Sequence, residues 1–195
     1  MNRLLIAALV VLLSSTANAG GNPNARVYID FDPPNYVHSI PAPEQFTMLE
    51  GYLCVDNLEM GITTISFQFS DLMQEYPGFA TAPSFTDMFS DELPIWNPFE
   101  MGYTASNSNC QVGVSGRIVI GRFSLFYIGQ PSVGGCLKIL DHGEYPRWLG
   151  DCADEIDYFC ILAHGSVGGA SCPDGDCDQV PVEPGTWGLV KALYR

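Results

Sequence analysis

Three aspartates at alternate positions, Asp174, Asp176 and Asp178, lie in the stretch CPDGDCD, with Cys172 and Cys177 enclosing the first two. In an extended loop that spacing turns carboxylates to one side, where their oxygens suit a hard cation such as calcium. A calcium loop of the EF-hand type also needs glycine at its sixth position and an acid at its twelfth. Those places hold Gln179 and Gly185, with Pro181 between them. The favoured reading is therefore a solvated acidic turn closed by a Cys172–Cys177 disulfide. Calcium is the alternative, and no other cofactor is expected. Zinc held by Cys152, Cys160, Cys172 and Cys177 would require reduced thiolates, which an exported chain does not keep.

Seven cysteines in such a chain imply disulfides, and the odd number leaves one thiol over or pairs it between chains. Spacing favours Cys152–Cys160 across ADEIDYF and Cys172–Cys177 across the acidic turn. Cys110 and Cys136 would then bridge neighbouring strands, with Cys54 buried as a small hydrophobe. Among the histidines, His38, His142 and His164, only His164-Gly165-Ser166-Val167-Gly168 has the look of a catalytic loop. It lacks the G-x-S-x-G order, and loop polarity explains all three better than catalysis does. Four aromatic residues, Trp96, Phe99, Tyr145 and Trp148, fall in predicted loops, where large flat rings either cap a core or stack on a ligand such as a sugar. Core capping is the favoured reading, and the four rings are the ligand-binding candidates.

The elements that must position these groups read as β-strands. Val27, Ile29 and Phe31 alternate with polar residues until Pro33-Pro34 ends the run. Phe46 to Val55 reads as a long strand. In Ile62 to Ser70, Ile65, Phe67 and Phe69 share one face, with Thr64, Ser66 and Gln68 on the other, the pattern of a half-buried strand. Arg117 to Tyr127 is a strand interrupted by Gly121, the mark of a bulge or close approach. Gly135 to Leu140 and Asp157 to Ala163 complete the set. Between Asp71 and Tyr103 the sequence predicts a long, partly helical insert, with Ser84 capping a helix over Phe85 to Leu93. Gly165 to Gly185 reads as a Gly/Pro/Asp-rich linker. Over 186–195, Thr186 caps a short helix whose Trp187, Val190 and Leu193 or Tyr194 share a face. The fold class is all-β, an antiparallel β-sandwich of Ig-like type over residues 20–164.

Residues 1–19 read as a secretory signal: Arg3, an apolar run from Leu4 to Leu13, and Ala17-Asn18-Ala19 for cleavage. Ten apolar residues are too few for a membrane span, which needs ~20. The chain of 195 residues has a formal net charge of −14. That charge argues against nucleic acid and anionic lipid surfaces as partners.

Val27 to Asp32, Gly51 to Leu58, Gly61 to Phe69 and Gly116 to Gly121 together resemble secreted bacterial sandwich domains of a loosely cohesin-like kind. Pro181 to Arg195 is similar to the Trp-Gly and Lys-x-Leu-Tyr-Arg endings of exported proteins. The resemblance implies a non-catalytic binding or structural role, and it departs from cohesins in the disulfides and the insert. The expectation is a secreted, periplasmic or extracellular monomer that binds a protein or glycan partner. Carbohydrate binding through the loop aromatics and a small secreted hydrolase stand as alternatives.

Overall fold

The computed structural model describes residues 21–91, 97–129, 134–142 and 147–177. In chain order the strands are β1 (Arg26–Asp30), β2 (Ser39–Ile40), β3 (Thr47–Asp56), β4 (Ile62–Phe69), β5 (Ala80–Asp87), β6 (Tyr103–Gln111), β7 (Ile118–Tyr127), β8 (Gly135–Leu137), β9 (Ile139–Leu140), β10 (Trp148–Asp151), β11 (Ile156–Asp157), β12 (Cys160–Ala163) and β13 (Gly165–Val167). One four-residue helix, α1 (Leu72–Glu75), follows β4, capped by Asp71, whose carboxylate accepts from the amides of Met73 and Gln74.

The first sheet has the order β12-β1-β3-β7-β5, the second β11-β10-β4-β6 with β9 added beside β4, and a small third sheet joins β2, β13 and β8. Pairing is antiparallel except for β1 with β12 and β2 with β13, which are parallel. The all-β sandwich is as expected, with these two parallel pairs departing from a purely antiparallel one. Alternation decides which side chains meet between the sheets. Val27, Ile29, Leu49, Leu53, Phe123 and Leu125 come from one sheet, and Ile65, Phe67, Phe69 and Leu149 from the other. Phe69 lies at the centre, with ring centroids 4.9 Å from Phe99, 5.9 Å from Phe85 and 5.9 Å from Phe123. Such tilted and edge-to-face pairs each add about 0.5–1.5 kcal/mol beyond their area burial.

The bulge expected at Gly121 is present: the β3–β7 register shifts between Leu53↔Gly121 and Cys54↔Val119. A Cβ at Gly121 would stand 2.3 Å from Phe85 Cζ, so the bare backbone is what lets that ring pack. Among the described residues the long helical insert is not present, and α1 is the only helix between Asp71 and Tyr103. Phe85 belongs to β5, whose residues after Ala80 alternate between half-buried and exposed positions, and Ser84, expected as a helix cap, exchanges a 2.7 Å hydrogen bond with Ser124 on β7. Pro83 is tolerated because β5 is an edge strand and its ladder is interrupted between Thr81 and Ser84. The linker reading also fails at its start: Gly165–Val167 is β13, and a side chain at Gly165 would meet Ile29 Cγ2 at 2.8 Å.

The disulfides differ from the local pairs that spacing favoured. They are Cys110–Cys152, Cys136–Cys172 and Cys160–Cys177. Strand pairing places these partners together although the chain separates them by 42, 36 and 17 residues. Closing loops of that size removes unfolded-state entropy worth ~3–4 kcal/mol apiece in the chain-entropy account. Cys54 is the free, buried thiol, as expected. Burial pushes its pKa up to about 12, which leaves it protonated and unreactive.

Outside the hydrophobic layer, Asp30 is fully buried. Its carboxylate accepts from the amides of Asp32, Tyr36 and Val37 at 3.0, 3.2 and 2.9 Å, and pairs with Arg117 Nη2 at 3.2 Å. Arg117→Met leaves that carboxylate buried without its cation, and urea unfolding should show a loss of about 3–5 kcal/mol; a loss near zero would mean the three amides suffice. Peptide mapping under non-reducing conditions should recover the three long-range cystines, with Cys54 alkylated only after denaturation. Recovery of Cys152–Cys160 or Cys172–Cys177 would contradict the fold's strand pairing.

Candidate functional site

The outward face of the second sheet follows from the same alternation that fills the core. With Ile65, Phe67 and Phe69 inward, Thr64, Ser66 and Gln68 of β4 point out. Their cross-strand partners share that side. Ser66 stands between Trp148 on β10 and Thr104 on β6, and Thr64 between Gly150 and Ser106. Gln68 pairs with Leu140 on β9, and Gly150 with Ile156 on β11. The result is a platform with two halves. Leu140, Trp148 and Ile156 form an apolar stripe, with Leu140 37% and Ile156 39% exposed. Thr64, Thr104 and Ser106 form a hydroxyl column beside it, with Ser66 fully buried beneath its neighbours and bonded to Thr104 at 3.2 Å.

No charged residue occurs in β4 or β6, although the chain carries 22 acidic residues. The acids of β10 and β11, Asp151 and Asp157, are buried. A face with an aromatic anchor and no charge on β4 or β6 has the composition of an interface core, where charge is depleted and Trp enriched. Its edge is closed to strand addition. Ser90 Oγ accepts from Ser106 N at 2.9 Å, and Asp91 takes the Ser108 amide at 2.9 Å while donating its own amide to Ser106 O. The Cys110–Cys152 cystine joins the end of β6 to the residue after β10, across β4, and so braces the platform.

Of the residues singled out by sequence, Trp148 alone lies on this platform among the described residues. Phe99 is 7% exposed and packs in the aromatic core against Phe69, the capping role rather than a binding one. Trp96, Tyr145 and Asp178 lie outside the described residues, as do the expected leader and tail helix. Asp174 is exposed, while Asp176 is committed: Oδ1 accepts from Ile161 N at 2.6 Å, and Oδ2 pairs with Arg147. Among the described residues no three His, Cys, Asp or Glu side chains converge to hold a metal ion. Cys152, Cys160, Cys172 and Cys177 are all oxidised, each with a distant partner. The sequence reading missed the hydroxyl column, Leu140 and Ile156. Thr64, Ser66 and Gln68 were legible as an outward set, but nothing local marked it as a surface for binding.

The histidines serve the scaffold. His38 Nδ1 lies 2.6 Å from Ile29 O, to which it donates. His164 Nδ1 accepts from the buried amide of Ile139 at 3.1 Å. His142 covers Gly102, where any Cβ would overlap the imidazole.

No family model matches the sequence, and no curated protein matches it. Solved structures do. A chain of the Coh-OlpA–Doc918 complex, a type I cohesin–dockerin complex from Clostridium thermocellum, aligns over 73% of this chain and 96% of that one, at 11% identity and a TM-score of 0.50. The sixth cohesin of scaffoldin B from Acetivibrio cellulolyticus covers 73% and 96% at 9% identity and 0.48. The cohesin module of a family 33 glycoside hydrolase from Clostridium perfringens covers 73% and 92% at 10% identity and 0.44. At these identities the likeness is one of fold: a cohesin-like β-sandwich. Among the described residues no helix is long and apolar enough to cross a membrane.

Burial lowers the His164 pKa from its ordinary value of 6.5, with the charges of Arg147 and Lys138 acting in the same direction. The unfolded chain therefore takes up a proton before the folded one does. The stability this histidine contributes is complete above about pH 6.5 and is lost as pH falls through the ordinary range towards the depressed folded value. Asp157 has the opposite sign: burial raises its pKa above 3.8, so in the window just above 3.8 it favours the folded state as pH falls. Between about pH 7 and pH 5, His164→Gln should flatten the decline of melting temperature. An unchanged slope would exclude this histidine as its source.

Proposed function

We propose that the protein is a secreted, non-catalytic binding module that docks a partner protein on the Leu140–Trp148–Ile156 stripe and the adjoining hydroxyl column. The observation that carries this reading is the absence of charge from that face of so acidic a chain. Stripping water from Thr, Ser and Trp costs far less than desolvating ions. A flat face built on three paired strands also changes little on binding, which favours recognition of a folded partner over a small solute. The cohesin-like fold supports the reading, since the neighbour of highest structural similarity named above is half of a cohesin–dockerin pair. The identity of the partner is not transferred from that pair. Three disulfides suit the oxidising space outside the cytoplasm, and the leader-like residues 1–19 supply the route there.

The test compares retention of secreted proteins from the source cells by the immobilised chain and by Trp148→Ala and Ser106→Arg variants. One or more discrete proteins should be retained by the wild type at 1:1 stoichiometry. Ser106 is exposed, so Ser106→Arg should leave stability within about 0.5 kcal/mol and yet abolish retention. Retention indifferent to both substitutions, or no retention at all, would sink the proposal. A glycan retained instead of a protein would replace it with the carbohydrate reading.

A further inference from the structure

The outward face of the first sheet carries a different feature, independent of the proposed docking platform. At one end of that face lies an open cleft of ≈ 710 Å³, walled by Pro33, Pro34, Tyr36, Met88, Val114 and Arg117. It is open, with Met88 58% and Val114 84% exposed. Arg117 does not make the cleft cationic: it stacks on Tyr36 with Cζ 4.0 Å from the ring centroid, donates to Tyr28 Oη, and is balanced by Asp30. What the cleft offers is a set of proline, aromatic and aliphatic surfaces, with Asn107, Gln111 and Ser115 also lining it and no covering element among the described residues.

The exit point of the chain lies on the same face. Asp176 N donates to Ile161 O at 2.9 Å and Cys177 is bonded to Cys160, so the last described residues run antiparallel along the free edge of β12. From that cystine a row crosses the sheet. Cys160 pairs with Arg26, Arg26 with Asp56 through bonds of 2.9 and 3.0 Å, and Asp56 stands one step beyond the Val55↔Ile118 pair, level with Arg117. Tyr36 Oη reaches back to Asp56 at 3.1 Å. Three strand steps separate Cys160 from Arg117, or about 14 Å. The residues between Cys177 and Trp187 span up to about 30 Å when extended, twice what is required.

We infer that the C-terminal segment 178–195 folds back across this row and seats Trp187 in the cleft, with Val190 and Leu193 against Met88 and Val114. Asp178 and Glu183 fall in the part that crosses the row, while the part that is seated, 184–195, has Lys191 and Arg195 and no acid, so the net charge of −14 attracts that part. Ten residues do not hold a helix alone in water. A groove that buries Trp187, Val190 and Leu193 supplies the missing apolar contact, and the Cys160–Cys177 tether raises the segment's effective concentration there.

Hydrogen exchange on the chain of residues 20–195 tests this, comparing the wild type with Trp187→Ala, Val114→Arg and the double variant. Amides in 187–194 should exchange at least roughly tenfold slower than in a free peptide of that sequence. Either substitution should remove that protection and also speed exchange in 112–118, and the double variant should be no worse than either single one. Because Val114 is exposed, its change leaves the fold intact and the rest of the exchange map unaltered. Peptide-rate exchange of 187–194 in the wild type overturns the inference. So does tail protection that survives Val114→Arg. Protection that appears only with a concentration-dependent dimer overturns it as well, and assigns the cleft to the tail of a second copy.

Discussion

The aromatic layer between the two large sheets is the constraint from which the other features follow. Phe67, Phe69, Phe85, Phe99, Tyr103 and Phe123 come from both sheets and from the segment before β6, and their rings meet at 4.9–6.5 Å. Once those residues are inward, period-two alternation leaves no freedom over what faces outward. Trp148, Thr64 and Ser106 are external because Leu149, Ile65 and Ala105 are internal. A one-residue slip of β4 would exchange the hydroxyl column for Ile65 and Phe67. The burial of two phenylalanines, at ~2–3 kcal/mol each, opposes it.

Polar interactions then fix what the hydrophobic layer leaves loose. The loop after β1 turns back over the first sheet because Asp30 gathers three of its amides and Arg117. Before β1, Asn22 is wholly buried. It donates its amide to Asp157 Oδ2 at 2.7 Å, and its side chain bridges Gly61 O and the amides of Glu59 and Met60. Nearby, Asp151 takes the amides of Gly21, Ala153 and Glu155. Each of these carboxylates is buried or nearly so, and their value lies in satisfying backbone donors that irregular chain would otherwise strand in the interior. The cystines act at the same places. Each joins chain ends or edges that no continuous ladder holds.

Much of this was legible because it is local. β3, β4 and β7 emerged from alternation nearly to the residue, and the Gly121 bulge from a lone glycine in a strand pattern. Phe85 and Phe89, four apart, satisfy helical spacing and two-residue alternation equally, and Ser84 is as good a strand residue facing Ser124 as a cap. Pairing to β7 decided between them, and pairing is not a local property. The cystines were misassigned for the same reason: Cys110 meets Cys152 only because β6 and β10 flank β4, an arrangement that spacing does not encode. Trp148 was picked out for its ring. Its neighbours Leu140, Ile156 and Ser106 come from three other strands and become a surface only after folding.

The two outward faces also divide the electrostatics. On the first sheet the charges are locked in pairs: Arg26 with Asp56, Arg117 with Asp30, Arg122 with Glu50. On the second there are none in β4 or β6, and the excess of acid lies elsewhere on the molecule. A net charge of −14 gives the folded chain a strongly negative overall field. Covering β4 and β6 would strip water from no ion, because neither strand carries one. The uncharged face is thus a consequence of which residues alternate outward along β4 and β6, and the paired charges of the first sheet a consequence of the same alternation along β1, β3 and β7.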